Sequence, residues 1–245
     1  MRDWAGKRYW LVGASEGLGR ALAHRLSRVG CRLVLSARGP ERLEELAAEL
    51  PGLSEVVPMD VADMASVRAA AEKVGEVDGL VFLSGVYWPF AAQEWDADQA
   101  VTMADVNFTG AMRVLGQVVP AMVARGEGHI VLTGSLAGFR GLPKSIGYGS
   151  SKAGLMHLAE SMRCDLQASG VTVQLANPGF IRTRLTDKND FRMPFLMEPE
   201  AAADTMFQHM CGDSFSASFP GLFSLVFRGA NLLPNGMHLR LFGTG

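Results

Sequence analysis

The chain has 245 residues, of which 48% are hydrophobic, and a formal net charge of −2. That length suits one α/β domain with a sizeable core, and a near-neutral charge with no basic block argues against nucleic acid as a partner. No uninterrupted apolar run reaches the roughly 18 residues of a membrane span, and the start, Met1-Arg-Asp-Trp-Ala-Gly-Lys7, lacks the apolar centre of a signal peptide.

Tyr9 to Val12 is a short apolar run, and Gly13-Ala-Ser-Glu-Gly17-Leu-Gly19 follows it and opens a helical pattern. Strand, glycine turn and helix in that order make a phosphate cradle, because backbone N–H groups converge there with a helix N-terminus. Cys31 to Ala37 reads as a second strand. A Glu/Leu/Ala helix follows from Pro40 to Leu50, with Pro40 in its tolerated first-turn place and Pro51 as its stop. Val56–Met59, Leu80–Leu83, Ile130–Thr133 and Val171–Leu175 read as further strands, apolar enough to be covered by helices on both faces. The alternation predicts an α/β fold: a Rossmann-like, doubly wound parallel sheet in a single domain spanning 1–245, with ligands at the carboxyl ends of the strands. No repeat, low-complexity stretch or linker interrupts it.

Beyond the last strand, residues 184–197 are expected to form a substrate lid, in which Phe191, Pro194 and Phe195 suggest a hydrophobic or mixed pocket. Farther on, Phe219, Leu222, Phe223, Val226, Phe227 and Ala230 recur as one face of a helix, with Pro220 in its first turn and Pro234 at its end. Such a face needs cover, from the substrate cleft or from a second subunit. A Phe-rich face also suits a membrane surface, but Arg228 is the only basic residue between Pro220 and Asn235, so attraction to anionic lipid is weak.

Two motifs lie between these segments. Ser135 stands in Leu132-Thr-Gly-Ser-Leu-Ala-Gly138, just past a predicted strand, and Tyr148-Gly-Ser-Ser-Lys152 comes shortly after. Tyr148 and Lys152 are four apart, which on a helix puts the ammonium on the face of the phenol. With the glycine turn upstream, these motifs resemble the short-chain dehydrogenase/reductase family, over roughly Lys7 to Thr183. Gly13, Gly17 and Gly19 match the family's GxxxGxG spacing, so the resemblance implies a cofactor cradle built from Gly13, Ser15, Glu16, Gly17, Leu18 and Gly19. Asp60 and Val61 match its adenine-contacting pair, although an aspartate at a strand end is also a common turn residue. Gly85 closes a Leu83-Ser84-Gly85 segment where relatives carry Asn-Ala-Gly. Val12 likewise replaces a threonine, and the joint loss of polar groups implies that Val12 packs near Leu83.

The cofactor implied is NADP. Ala37 stands where NAD-binding relatives carry an acid, and Arg38 can grip a 2′-phosphate bidentately. The alternative for Arg38 is a surface pairing with Glu41 or Glu44, and Glu16 stands where some NADP-binding relatives have a basic residue. Pro178, Gly179, Ile181 and Thr183, in Asn177-Pro-Gly-Phe-Ile-Arg-Thr183, match the segment that fixes the nicotinamide.

By the same resemblance Tyr148 is the general acid/base, Lys152 lowers its pKa and holds the ribose, Ser135 holds the substrate oxygen, and Asn107 anchors a proton-relay water. Lowering a phenol by about three pH units takes roughly 4 kcal/mol, which a positive charge about 4 Å away supplies at an effective dielectric near 20. The implied activity is hydride transfer between NADP(H) and a ketone or secondary alcohol. A 3-oxoacyl-thioester reductase and a noncatalytic NADP-binding sensor or scaffold are the alternatives. A small-molecule carbonyl or alcohol and a homodimer or higher homo-oligomer are the expected partners.

The five histidines (His24, His129, His157, His209, His238) have no metal-binding spacing and read as surface or capping residues. Cys31, Cys164 and Cys211 form no CxxC or disulfide framework, which suits a cytoplasmic setting. Cys164 reads as a buried small hydrophobe on the Tyr148 helix, while Ala153 and Gly154 would let a neighbouring helix approach closely.

Overall fold

Alternating short strands and amphipathic helices form one parallel sheet with a helical layer on each face in the computed structural model, which describes residues 2–243. The strands are β1 (Arg8–Val12), β2 (Arg32–Ser36), β3 (Ser54–Val56), β4 (Gly79–Phe82), β5 (Gly128–Thr133), β6 (Val171–Pro178) and β7 (Ser216–Phe219). They lie in the order β3-β2-β1-β4-β5-β6-β7, every neighbouring pair parallel. The helices are α1 (Gly17–Arg28), α2 (Pro40–Glu49), α3 (Met64–Val74), α4 (Ala97–Ala104), α5 (Gly110–Arg125), α6 (Ile146–Asp165), α7 (Pro199–Cys211), α8 (Gly221–Ala230) and α9 (Asn235–Phe242).

The period-2 alternation of the strands divides the core. Leu11, Leu33, Leu35, Val81 and Val131 meet Leu22 and Leu26 of α1, Leu43 of α2 and Met206 of α7 on one face. Trp10, Val34, Leu80, Phe82, Ile130 and Leu132 meet Val67 of α3, Val114 of α5 and Leu155 of α6 on the other. Both faces are dry, which is why the strands read as continuous apolar runs. The chain order reverses between β1 and β4, and a crevice opens there at the carboxyl ends.

Several boundaries differ from those expected. β3 is Ser54–Val56, not Val56–Met59; the bonds from Val57 N to the Leu35 carbonyl (3.0 Å) and from Met59 N to the Ala37 carbonyl (2.9 Å) continue beyond it as irregular pairing. β6 runs on through Asn177 and Pro178. β7 was not expected at all: its Ser-Ala-Ser-Phe sequence carries little apolar signal, and parallel pairing with β6 makes the strand. Phe219 accordingly belongs to β7, and the tail helix begins at Gly221 with Pro220 before it. Pro234 precedes α9 rather than ending α8.

Val12 does not pack on Leu83. Its side chain lies with Phe82 on the α3/α5/α6 face, whereas Leu83 packs on the opposite face. A backbone bond, Leu83 N to the Val12 carbonyl at 2.7 Å, links them instead.

Two histidines are core residues, not surface ones. His129 is 1% exposed: the Tyr9 hydroxyl meets its Nδ1 at 2.8 Å, and its Nε2 meets Gln174 Oε1 at 2.7 Å. The Gln174 amide nitrogen donates to the carbonyls of His209, Gly212 and Ser214. Its oxygen is therefore left as acceptor, and neutral His129 donates from Nε2 and accepts at Nδ1. Burial pulls its pKa down to about 3. His209 is buried as well, with its pKa lowered by the same cause. Cys164 is exposed. It lies 16 residues past Tyr148, and at about 100° per residue that places it roughly 160° around the helix from the phenol.

Candidate active site

Every residue expected at the cofactor lines one crevice of about 530 Å³ at the β1–β4 reversal. The glycines there are sterically required. Gly13 has φ +98°, and a Cβ on it would stand 2.5 Å from Ser84 N. A Cβ on Gly19 would lie 2.0 Å from the Gly13 carbonyl oxygen, so α1 can start hard against β1 only with glycine in that place. Gly17, at φ +53°, faces Thr183, whose Cγ2 would be 2.7 Å from an added Cβ. The N-terminus of α1 thus opens into the crevice with no side chain in the way. That cradle, a buried Thr133 hydroxyl without a protein partner and the basic side chains at the adenosine end fit a dinucleotide phosphate.

Arg38 follows β2 and lines the crevice exposed; neither Glu41 nor Glu44 pairs with it. Arg42 and Arg184, which sequence reasoning missed, also line it. Both contact one carboxylate oxygen of Glu16, Arg42 through Nη1 at 3.1 Å and Arg184 through Nη2. Glu16 is therefore held between two guanidinium groups instead of facing a phosphate as a free charge. Arg42 lies four residues beyond Arg38, a spacing that could have flagged it; Arg184 comes from the lid, and nothing local points to it. Asp60 lines the same wall while accepting from Ala62 N at 2.9 Å, so it serves both the turn and the crevice.

The catalytic candidates converge where α5, α6 and β5 meet. Ser135 is buried directly past β5 and accepts from Ala137 N at 3.2 Å, leaving its proton for Tyr148. Lys152, 3% exposed, donates to the Thr133 carbonyl at 2.7 Å, and its Nζ stands 5.9 Å from the centre of the Tyr148 ring. Burial pulls the Lys152 pKa down to about 8. The expected lowering of the Tyr148 pKa is not met. Burial raises it, opposed by the hydrogen bond with Ser135. The Lys152 ammonium, bonded to the Thr133 carbonyl, does not reverse that.

Asn107 sits in a wide π-helical turn, Asp105–Thr109, between α4 and α5. Its Oδ1 accepts from Val86 N at 2.7 Å, and its Nδ2 donates to the Val86 carbonyl and to Ser151 Oγ, each at 3.0 Å. It thereby locks the segment after Gly85 against α6. Gly154 abuts the Phe108 ring of that turn, the close approach expected of it.

A second cavity of about 370 Å³ adjoins the first. Ser135 and Tyr148 form its floor, and Leu136, Phe180, Phe223 and Phe227 are among its walls. The lid is tied at both ends, by Arg182 N to the Met197 carbonyl (2.9 Å) and Met197 N to the Phe180 carbonyl (3.0 Å). Tyr87 lies edge-on to Tyr148, ring centres 5.0 Å apart, and its hydroxyl donates to Asn189 Oδ1 at 2.9 Å. Burial pushes the Tyr87 pKa up to about 12. Tyr87 and Phe180 went unnoticed in the sequence because only the fold brings them to Tyr148. Among the described residues no cluster of histidine, cysteine and carboxylate groups could hold a metal ion, and no helix is long and apolar enough to cross a membrane.

Comparison with known proteins matches residues 7–192 to the short chain dehydrogenase family. An uncharacterized oxidoreductase of Myxococcus xanthus is 38% identical over 242 residues, 96% of each chain. Sulfoacetaldehyde reductase of Chromohalobacter salexigens is 39% identical over 185 residues, covering 72% of this chain and 73% of its own. Among solved structures, a short-chain dehydrogenase from Sphingobium yanoikuyae in complex with NADPH superposes with a TM-score of 0.84 over 94% of each chain, at 25% identity.

Proposed function

The chain belongs to the short-chain dehydrogenase/reductase family and is an oxidoreductase of that family, and on that premise we propose that it is an NADP(H)-dependent reductase of ketones or aldehydes, working in reverse on secondary or primary alcohols. One observation carries the reading: Tyr148 is the catalytic side chain that lines both the glycine-cradled crevice and the apolar cavity. NADP is supported by Arg38 and Arg42 beside the uncharged Ala37, and by the NADPH held in the Sphingobium relative.

A nicotinamide held in the crevice would supply the hydride that the substrate's carbonyl carbon accepts. Tyr148 gives its phenolic proton to the carbonyl oxygen as negative charge develops there, so carbon gains hydride, oxygen gains a proton and an alcohol results. Ser135 donates to the same oxygen and holds it in place. Lys152, protonated below pH 8, would offset the charge left on the tyrosinate and hold the ribose hydroxyls of the cofactor. Asn107 keeps the Gly85–Val86 backbone and α6 in register, and the relay that reprotonates Tyr148 runs past it. Burial raises the phenol's pKa, so Tyr148 keeps at neutral pH the proton that a reduction needs.

Homo-oligomer assembly belongs to the same proposal, through the apolar stripe of Met112, Val119 and Val123 on α5; sedimentation of the purified chain checks it. The activity is tested by following NADPH absorbance with a panel of carbonyl compounds. Carbonyl-dependent oxidation of NADPH, faster than that of NADH, is expected; NADPH binding with no carbonyl consumed would leave a noncatalytic sensor as the reading.

A further inference from the structure

The cavity beyond Tyr148 carries information about what it accepts. Its walls away from the floor include Leu136, Leu142, Phe180, Phe191, Phe223 and Phe227. The phenylalanines form a continuous ring chain: Phe191 to Phe180 at 5.8 Å, Phe180 to Phe223 at 5.9 Å and Phe223 to Phe227 at 5.0 Å. At about 370 Å³ the cavity is near the small end of ligand sites, roughly 300–1,000 Å³.

The polar side chains on these walls, the Ser145 hydroxyl excepted, already have partners. The Tyr87 hydroxyl is spent on Asn189, and Thr186 Oγ1 on the Ile181 and Thr183 backbone. Lys144 is the only cation among the described lining residues apart from the reaction floor, and its Nζ is paired with Asp190 at 3.1 Å. The neighbouring cations are engaged too. Arg140 donates to the carbonyls of Ala230 and Leu233 and to Asn235, and Lys188 donates to the Tyr87 carbonyl at 2.8 Å. Arg192 is exposed and outside the lining set. An anion placed here would lose its water without gaining a free positive partner.

We propose that this cavity is built for a neutral, apolar carbonyl compound carrying one aryl or compact alkyl group, and that it selects against anionic carbonyls, including sulfonated or carboxylated aldehydes and acyl thioesters on phosphate-bearing carriers. This deepens the reductase reading and rests on it for the reaction, but not for the binding preference. It also separates this chain from the relative named for sulfoacetaldehyde, an anionic substrate.

The test is calorimetric titration of the NADP⁺-saturated enzyme, in which no turnover occurs, with 4-phenyl-2-butanone, its para-carboxylate and sulfoacetaldehyde. The neutral ketone is expected to bind at least about tenfold more tightly than either anion. Asp190→Asn, at a side chain 71% exposed, should free Lys144 and improve binding of the para-carboxylate roughly threefold without changing that of the neutral ketone. Equal or tighter binding of either anion, or no binding of the neutral ketone, overturns the proposal whether or not NADPH is consumed. Preferential binding of the neutral ketone without NADPH oxidation supports the cavity's selectivity and overturns the reductase reading instead.

Discussion

Lys152→Met should make the protein more stable at neutral pH while removing its activity. The lysine is 3% exposed, and burial brings its pKa from 10.5 to about 8. The unfolded chain therefore holds this proton more tightly than the folded one. Below pH 8 the folded state carries the full cost of a buried ammonium, and stability is regained as pH rises from 8 to 10.5. At 1.36 kcal/mol for each pH unit, the difference amounts to about 3 kcal/mol. Methionine fills nearly the same volume without the charge. Against that stands the Thr133 carbonyl, which loses a 2.7 Å donor, a loss of about 1–3 kcal/mol. The net gain at pH 7 is up to about 2 kcal/mol, or up to roughly 8 °C in Tm for a chain of this size.

The assay is thermal melting of both proteins without cofactor at pH 7, 8.5 and 10, read as the difference between them so that other titrating groups cancel. The advantage of the variant should shrink as pH rises, because the wild-type lysine sheds its proton. Carbonyl-dependent NADPH oxidation should fall by at least about 100-fold. A variant that melts at or below wild type at pH 7, with a difference independent of pH, would refute the claim that the catalytic lysine is held charged at the fold's expense.

Tyr148→Phe removes one hydroxyl and should cut turnover by about 10²–10⁴-fold while NADPH affinity, followed by fluorescence, stays the same; turnover within a factor of about two of wild type would sink the acid assignment. Arg38→Asp should move preference from NADPH toward NADH, since a carboxylate repels a 2′-phosphate and accepts from a free 2′-hydroxyl; unchanged NADPH affinity would make Arg38 a bystander. His129 has a folded pKa of about 3 against 6.5, so the unfolded chain takes the extra proton and stability is lost as pH falls below 6.5. The loss from this group is about 2 kcal/mol between pH 6.5 and 5. His129→Gln should flatten that part of the profile in urea titrations, and equal slopes in the two proteins would count against it.

The sheet, the glycine cradle and the Ser135–Tyr148–Lys152 set were legible because each is a local pattern. Apolar runs covered on both faces need no distant information, and a glycine forced by Gly13–Ser84 and Gly19–Gly13 clearances leaves its mark at a fixed spacing. What failed to show was what depends on partners far along the chain. β7 is a strand because β6 offers it an edge. His129 is a core residue because Tyr9, 120 positions earlier, and Gln174, 45 later, meet both of its ring nitrogens. Cys164 shared a helix with Tyr148 but not a face, and a count of helical phase would have separated them.

Glu16 illustrates the same limit at the site itself. In the sequence it stands alone in the cradle, and its charge counts against a phosphate ligand. In the fold, one guanidinium from α2 and one from the lid converge on the same carboxylate oxygen. The glutamate thus ties the lid segment and α2 to the glycine turn, across the mouth of the crevice. Midway along the lid, Phe191 enters the wall of the apolar cavity, where Phe223 and Phe227 of α8 complete it. One segment therefore borders both ligand sites, with Leu185 and Thr186 lining each of them beside Tyr148. The lid is thus held beside the crevice by charge and beside the apolar cavity by aromatic packing. No residue type at any single position encodes that tie, which exists only once 16, 42 and 184 are brought together.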